Sequence, residues 1–119
     1  MAGSELRYPF TGHDTHALIG TFAPDLPLRT ERGATSVAEL MRAARPMFVD
    51  LAERADLLEV AGGWHHRVGM HTAETDDRPA DALLIRPDGH VAWAASVGEP
   101  GATAGPALRT ALSDWFGRP

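Results

Sequence analysis

A chain of 119 residues has room for one compact domain, and its 44 % hydrophobic and 23 % charged residues are the balance of a chain that buries a core. The formal net charge of −5 excludes the concentrated basic surface that a nucleic-acid binder needs. Zero cysteines exclude a thiol peroxidase, a dithiol redox couple and a thiolate metal site.

Residues 1–16 lack periodicity and carry Pro9 and Gly12, which predicts an arm or linker ahead of a domain over residues 17–117. Ala17-Leu18-Ile19-Gly20 is where the chain is expected to dock onto the fold. Pro24 and Pro27 break the next stretch, so residues 22–29 read as an irregular edge strand. A turn at Gly33 is expected within residues 30–34. Ser36 followed by Glu39 spells a capping box, in which each side chain satisfies the other residue's free backbone N–H. Val37, Leu40, Met41 and Ala44 then fall on one helical face, and Pro46 forbids continuation. Met47-Phe48-Val49-Asp50-Leu51 reads as a short buried strand. Residues 52–61 favour a helix ending at Gly62-Gly63, and residues 67–73 a second strand weakened by Gly69.

The strongest local signal is Ala82-Leu83-Leu84-Ile85-Arg86, then Pro87-Asp88-Gly89, then His90-Val91-Ala92-Trp93-Ala94. Two β-prone runs flank an Asp-Gly turn, where glycine accepts the positive φ that a tight hairpin imposes. Residues 96–103 read as a loop. The last helix is expected to start with Pro106 at its first position, to present Leu108, Ala111, Leu112, Trp115 and Phe116 on one face, and to stop at Gly117. A strand–helix–strand unit requires a right-handed parallel crossover, and the hairpin extends that sheet antiparallel. The order therefore predicts an α/β, thioredoxin-like fold: a mixed sheet with a C-terminal β-hairpin and a closing helix. No apolar stretch approaches the roughly 20 residues of a bilayer span. The start Met1-Ala2-Gly3-Ser4-Glu5 has neither the basic region nor the apolar core of a secretion signal. A cytoplasmic location and no membrane partner are expected.

From Asp77-Arg78-Pro79-Ala80-Asp81 through the hairpin to Trp93, the sequence resembles the closing segment of FAD-dependent aromatic-ring hydroxylases related to p-hydroxybenzoate hydroxylase, of the polyketide and phenol hydroxylase type. Gly20-Thr21-Phe22-Ala23-Pro24-Asp25-Leu26 and the helix at residues 36–44 are similar too, so the resemblance covers residues 7–116. It implies the thioredoxin-like third domain of those enzymes, but not their chemistry. No G-x-G-x-x-G follows a strand and opens a helix, and 119 residues cannot house a dinucleotide-binding domain as well. FAD and NAD(P)H are thus implied only for a flavin domain absent from this chain, and no cofactor is expected to bind here. The partner implied is a flavoprotein hydroxylase domain or a second copy of the chain.

Thioredoxins carry their dithiol after the first central strand. The matching Leu51-Ala52-Glu53-Arg54 offers no nucleophile, and no catalytic residue is assigned. The Ala-Pro-Asp element is similar to one in peroxiredoxins, where the missing thiol again removes the activity. Pro79 stands roughly where thioredoxins keep a cis-proline, but its longer spacing to Leu83-Leu84-Ile85 leaves a trans bond expected. His65, His66 and His71 with Glu74, Asp76 and Asp77 invite a metal hypothesis. Adjacent histidines on an extended segment point to opposite faces, so surface histidines and no metal site are expected. Asp88 belongs to a turn and Asp81 to a strand start. Asp50, inside an apolar run, is the odd acid, and a paired or edge-exposed role is expected over a catalytic one. Trp64, Trp93, Trp115 and Phe116 are expected in the core before any other role, and of these Trp93 on the hairpin and Trp115 and Phe116 near the C-terminus are the candidate interface residues, since aromatics dominate interface hot spots. Two readings follow: a non-catalytic accessory or oligomerisation domain, or a small stand-alone enzyme or binding protein for aromatic polyketide-type compounds.

Overall fold

Two short strands, β1 (Pro27–Thr30) and β2 (Gly33–Ser36), open the fold of residues 17–119, the part of the chain that the computed structural model describes. They are followed by helix α1 (Val37–Leu40) with a 3-10 turn over Met41–Ala43, then β3 (Met47–Asp50), α2 (Ala55–Gly62), β4 (Gly69–Thr72), β5 (Ala82–Ile85), β6 (Val91–Ala95) and α3 (Gly101–Phe116). The arm expected over residues 1–16 lies outside the described residues.

All residues of β3 and β5 are buried, the signature of strands covered on both faces. They lie at the centre of a four-stranded sheet of order β4-β3-β5-β6. β4 runs parallel to β3 across the α2 crossover, whereas β5 pairs antiparallel with β3, and β6 antiparallel with β5. This is the expected thioredoxin-like arrangement. On one face Phe48, Ala82, Leu84, Trp93 and Ala95 pack against Leu57 and Ala61 of α2 and Ala104, Leu108 and Leu112 of α3. On the other, Met47, Val49, Leu83, Ile85, Val91 and Ala94 pack against Leu28 of β1, Val37 of α1 and Ala23. Val91 and Ala94 share a face although three residues apart. The ladder shifts register between Leu84 and Ile85, which pair with Trp93 and Val91, so Ala92 is the extra residue of a bulge.

Several boundaries differ from expectation, each for a local reason. The edge strand expected over 22–29 is confined to β1, which pairs with β2 in a separate hairpin, and Phe22 joins the main sheet only through an isolated bridge to His90. The expected turn at 30–34 is tighter: Thr30 Oγ1 accepts the Arg32 N–H at 3.1 Å and donates to the Gly33 carbonyl at 3.1 Å, leaving Gly33 and Ala34 in β2. Ser36 Oγ does accept the Glu39 N–H at 3.1 Å, but the Glu39 carboxylate accepts instead from Thr35 Oγ1 at 3.2 Å. The second helical N–H, from Ala38, goes to Asp25 Oδ1 at 2.9 Å. Ala44, placed on the apolar stripe by spacing, turns left-handed at φ 55 and is exposed. Helix α2 begins at Ala55 rather than 52, because Glu53 at φ 53 breaks the helical path. Helix α3 begins at Gly101, five residues before Pro106, so residues 101–103 of the expected loop are helical. Pro106 costs the bond to the Ala102 carbonyl, and both residues are exposed, where water replaces it. The helix stops as expected at Gly117, at φ 77, whose N–H returns to the Ser113 carbonyl at 3.0 Å.

Candidate functional site

The loops after β3, before β5 and before α3 meet at one end of the sheet, where a thioredoxin would hold its dithiol. Asp50 ends β3 fully buried, and its side chain is consumed by the loop that follows. Oδ1 accepts the N–H groups of Ala52 at 3.2 Å and Arg54 at 3.0 Å, and Oδ2 accepts the Arg54 N–H at 3.0 Å. The odd acid of the sequence is therefore paired with backbone, as a cap for the entry to α2.

Asp81, just before β5, is the hub. Its Oδ2 accepts from Arg54 Nη1 at 3.0 Å and from the Gly98 N–H at 3.0 Å, and its Oδ1 from Arg78 Nε at 2.9 Å. Its main chain is tied as well: Leu51 N–H donates to the Asp81 carbonyl and Asp81 N–H to the Ala95 carbonyl, each at 2.8 Å. Arg54 in turn grips Asp56 with two bonds, Nε to Oδ1 at 3.0 Å and Nη2 to Oδ2 at 2.9 Å. Burial alone pushes the Asp81 carboxyl up, but Arg78, the Gly98 N–H and Arg54 together outweigh it and hold it below the usual carboxylate range. The bond from Arg54 is the largest influence on Asp56 and likewise holds it low. Arg54 is held even more firmly protonated, chiefly by Asp56, against the cost of burial. With both carboxyls held below the usual range, neither Asp56 nor Asp81 is poised to exchange a proton near neutral pH. Arg54 and Arg78 were missed as site residues. The only local hint was an arginine three places before Asp81.

The histidines do not converge. His65 and His66 sit edge-to-face at 5.7 Å on the surface after α2, with His65 Nδ1 2.9 Å from the Gly62 carbonyl. No group of three potential metal ligands occurs among the described residues. His71 lies half-buried on β4, where burial and then the charges of Arg45 and Arg32 push its imidazole down. It lines an open groove of about 990 Å³ between β4 and the β1–β2 hairpin, together with Arg29, Glu31, Arg32, Glu53 and Glu74. There is no cis peptide bond among the described residues, so Pro79 is trans, as its spacing predicted.

Of the three candidate interface residues, Trp93 is a core residue, 3 % exposed, and cannot anchor a partner on this surface. The bulge at Ala92 turns its ring onto the helical face of the sheet. Phe116 is partly buried against the same core. Trp115 is 49 % exposed, with the Arg86 guanidinium 4.3 Å from its ring centroid. It stands at the β5–β6 turn, the end of the sheet opposite Asp81.

Over residues 16–119 the sequence matches the family described as aromatic-ring hydroxylase, C-terminal. The chain belongs to that family. It is 36 % identical over 125 aligned residues to the 12-dehydrotetracycline 5-monooxygenase/anhydrotetracycline 6-monooxygenase of Streptomyces rimosus subsp. rimosus, a match covering 100 % of this chain and 24 % of that protein. It is 40 % identical to the dialkyldecalin synthase of Streptomyces rugosporus, over 98 % of this chain and 23 % of that protein. Among solved structures, the OxyS anhydrotetracycline hydroxylase from Streptomyces rimosus superposes with a TM-score of 0.76 at 36 % identity, covering 97 % of this chain and 24 % of the other. The chain thus spans about a quarter of the length of the curated relatives it matches. Those relatives include monooxygenases and a synthase, so membership of the aromatic-ring hydroxylase C-terminal family fixes no single reaction. No described helix is long and apolar enough to cross a membrane.

A flavin pyrophosphate needs free N–H groups at a helix N-terminus and close backbone approach, and the starts of α2 and α3 do not offer them. Ahead of α2 the Asp50 carboxylate already takes the N–H groups of Ala52 and Arg54. At α3 the Asp56 carboxylate sits so near Gly101 that a Cβ there would lie 2.6 Å from Oδ2. Both positions hold a carboxylate of this chain where a pyrophosphate would require open space and no negative charge.

Proposed function

We propose that this chain is a non-catalytic accessory domain that stabilises the flavin-binding part of an aromatic-ring hydroxylase. The observation that carries the reading is the Asp81–Arg54–Arg78 cluster. At the place where the fold does redox chemistry, Asp81, Arg54, Arg78 and Asp56 are engaged with one another and with the Gly98 N–H of this same chain, which is the organisation of a structural clamp. The match to the C-terminal family over residues 16–119 supports it, as does the quarter-length coverage of the monooxygenase relatives. On this reading FAD and NAD(P)H belong to the partner, the domain holds no cofactor, and its role is contact and stability in the cytoplasm.

A stand-alone enzyme or binding protein for polycyclic aromatic compounds would need an apolar pocket with a few convergent polar groups. The groove beside His71 mixes Leu40, Met70 and Ala73 with two arginines and three glutamates and is open rather than enclosed, a poorer fit to such a compound than an apolar pocket. The test is a pull-down with the tagged chain from native-source lysate, following flavin absorbance and NAD(P)H consumption in the eluate. A flavoprotein that oxidises NAD(P)H is the expected capture. A colourless eluate holding the bait alone would sink the proposal.

A further inference from the structure

We infer that the β5–β6 turn, with Phe22 on one side and Trp115 on the other, is the surface on which the flavin-binding domain preceding this one in the longer relatives docks. The inference rests on the accessory role proposed above and names where on this chain that partner sits.

Among the described residues, Phe22, Val97 and Trp115 are the large hydrophobic residues that stay exposed, at 60 %, 56 % and 49 %. Two of them meet at one place. The Phe22 ring packs edge-on against His90, centroids 5.5 Å apart, and lies over Gly89, where a Cβ would come within 2.6 Å of Phe22 Cε1. Trp115 stacks under Arg86, and the Arg86 N–H donates to the His90 carbonyl at 2.9 Å. Phe22, His90, Arg86 and Trp115 therefore form one continuous band across the turn. Asp88 pairs with Arg86 and lies 3.3 Å from His90 Nδ1, so the charges in the band are matched within it. Both rings are held by contacts of their own chain while much of their surface remains open. Anchors fixed in advance lose little entropy when a partner covers them, which is how hot-spot aromatics reach high contributions.

The path of the chain supplies the occupant. Gly20 N–H donates to the Val91 carbonyl at 2.9 Å, Val91 N–H to the Thr21 carbonyl at 2.8 Å and Ala23 N–H to the Gly89 carbonyl at 2.8 Å. Residues 20–23 thus run along the start of β6 and past the same turn. The family is a C-terminal one and the match covers about a quarter of the relatives, so the rest of such a protein precedes this segment and reaches the fold beside Phe22. Val97 lies at the other end, next to Gly98 of the Asp81 cluster, and serves as the control.

The experiment is a fusion in which this chain replaces the matching quarter of the Streptomyces rimosus monooxygenase, read by the temperature at which flavin is released. Phe22→Ser and Trp115→Ser should each lower that temperature by several degrees more than they lower the unfolding temperature of the isolated 119-residue chain, and Val97→Ser should produce no such excess. A flavin-loaded fusion indifferent to Phe22 and Trp115, or equally sensitive to Val97, overturns this inference alone. A fusion that retains no flavin with the native surface overturns it together with the proposed function. Sedimentation of the isolated chain as a dimer that Phe22→Ser dissolves would assign the band to a second copy and overturn it as well.

Discussion

The two ends of the central sheet solve opposite problems. At the Asp81 end, three loops converge and their charges are paired with one another, so the surface there is closed on itself. At the β5–β6 turn, two aromatic rings are fixed in place but half open to solvent. In a thioredoxin-like fold the first end is where chemistry happens. On the proposed reading an ionic clamp stands in place of that chemistry, and the opposite end carries the contact with the partner. The sheet and core do not depend on what the loops at either end carry, so one architecture accommodates either arrangement.

The difference is sharpest for Asp81→Ala. Removing the carboxylate leaves the Gly98 N–H unpaired and Arg54 with Asp56 as its only acid, and a loss of about 1–3 kcal/mol is expected from urea denaturation of the chain. The same carboxylate sets the acid limit. Its folded pKa is depressed, so its stabilisation is present above the unfolded value of roughly 3.9 and drains away as pH falls through the folded one. An acid limb that persists unchanged in Asp81→Asn would show that the clamp does not set it. Asp50→Ala frees the Ala52 and Arg54 N–H groups at the entry to α2, and should cost about 2 kcal/mol in the same assay.

At the other end the expected effects on the isolated chain are smaller. Gly89→Ala puts a side chain at φ 89 and against the Phe22 ring, for a cost of about 1–2 kcal/mol, with Phe22 ring resonances displaced in NMR spectra. Trp115→Ser removes an exposed cation–π contact and should cost only about 0.5–1 kcal/mol. A larger loss would mean that Trp115 is a core residue and would weaken the contrast between the ends. The smallest effect is expected from His71, which belongs to neither. Burial depresses its folded pKa, so its contribution is full above the unfolded value of roughly 6.5 and declines as pH falls below it. His71→Gln should flatten that shallow limb of the pH–stability curve and leave the acid limb in place.

Where signals were local, the sequence was sufficient. The Asp88-Gly89 turn, the buried run 47–50 and the Ser36 cap each depend on neighbours a few residues away, and each is found where spacing places it. Pro106 misled because a proline marks a helix start only when nothing ahead of it is helical, and here Gly101 to Gly105 are already wound. The turn at 30–34 was legible from Gly33, but the β1–β2 hairpin was not, because the second strand is only Gly33–Ser36 and runs straight into the Ser36 cap. The Asp81 cluster could not be read at all. Arg54 is 27 residues from Asp81 and Gly98 is 17, and only the strand order brings them together. Trp93 was placed on the hairpin with core and interface roles both open, because the bulge at Ala92, which decides its face, leaves no mark in the sequence.

The central claim is that this domain has no flavin chemistry of its own, and titrating FAD into the isolated 119-residue chain while following flavin fluorescence tests it most directly. No saturable change, and no NADPH oxidation when an aromatic substrate is added, is the predicted result. Saturable FAD binding with NADPH consumption by the chain alone would contradict it.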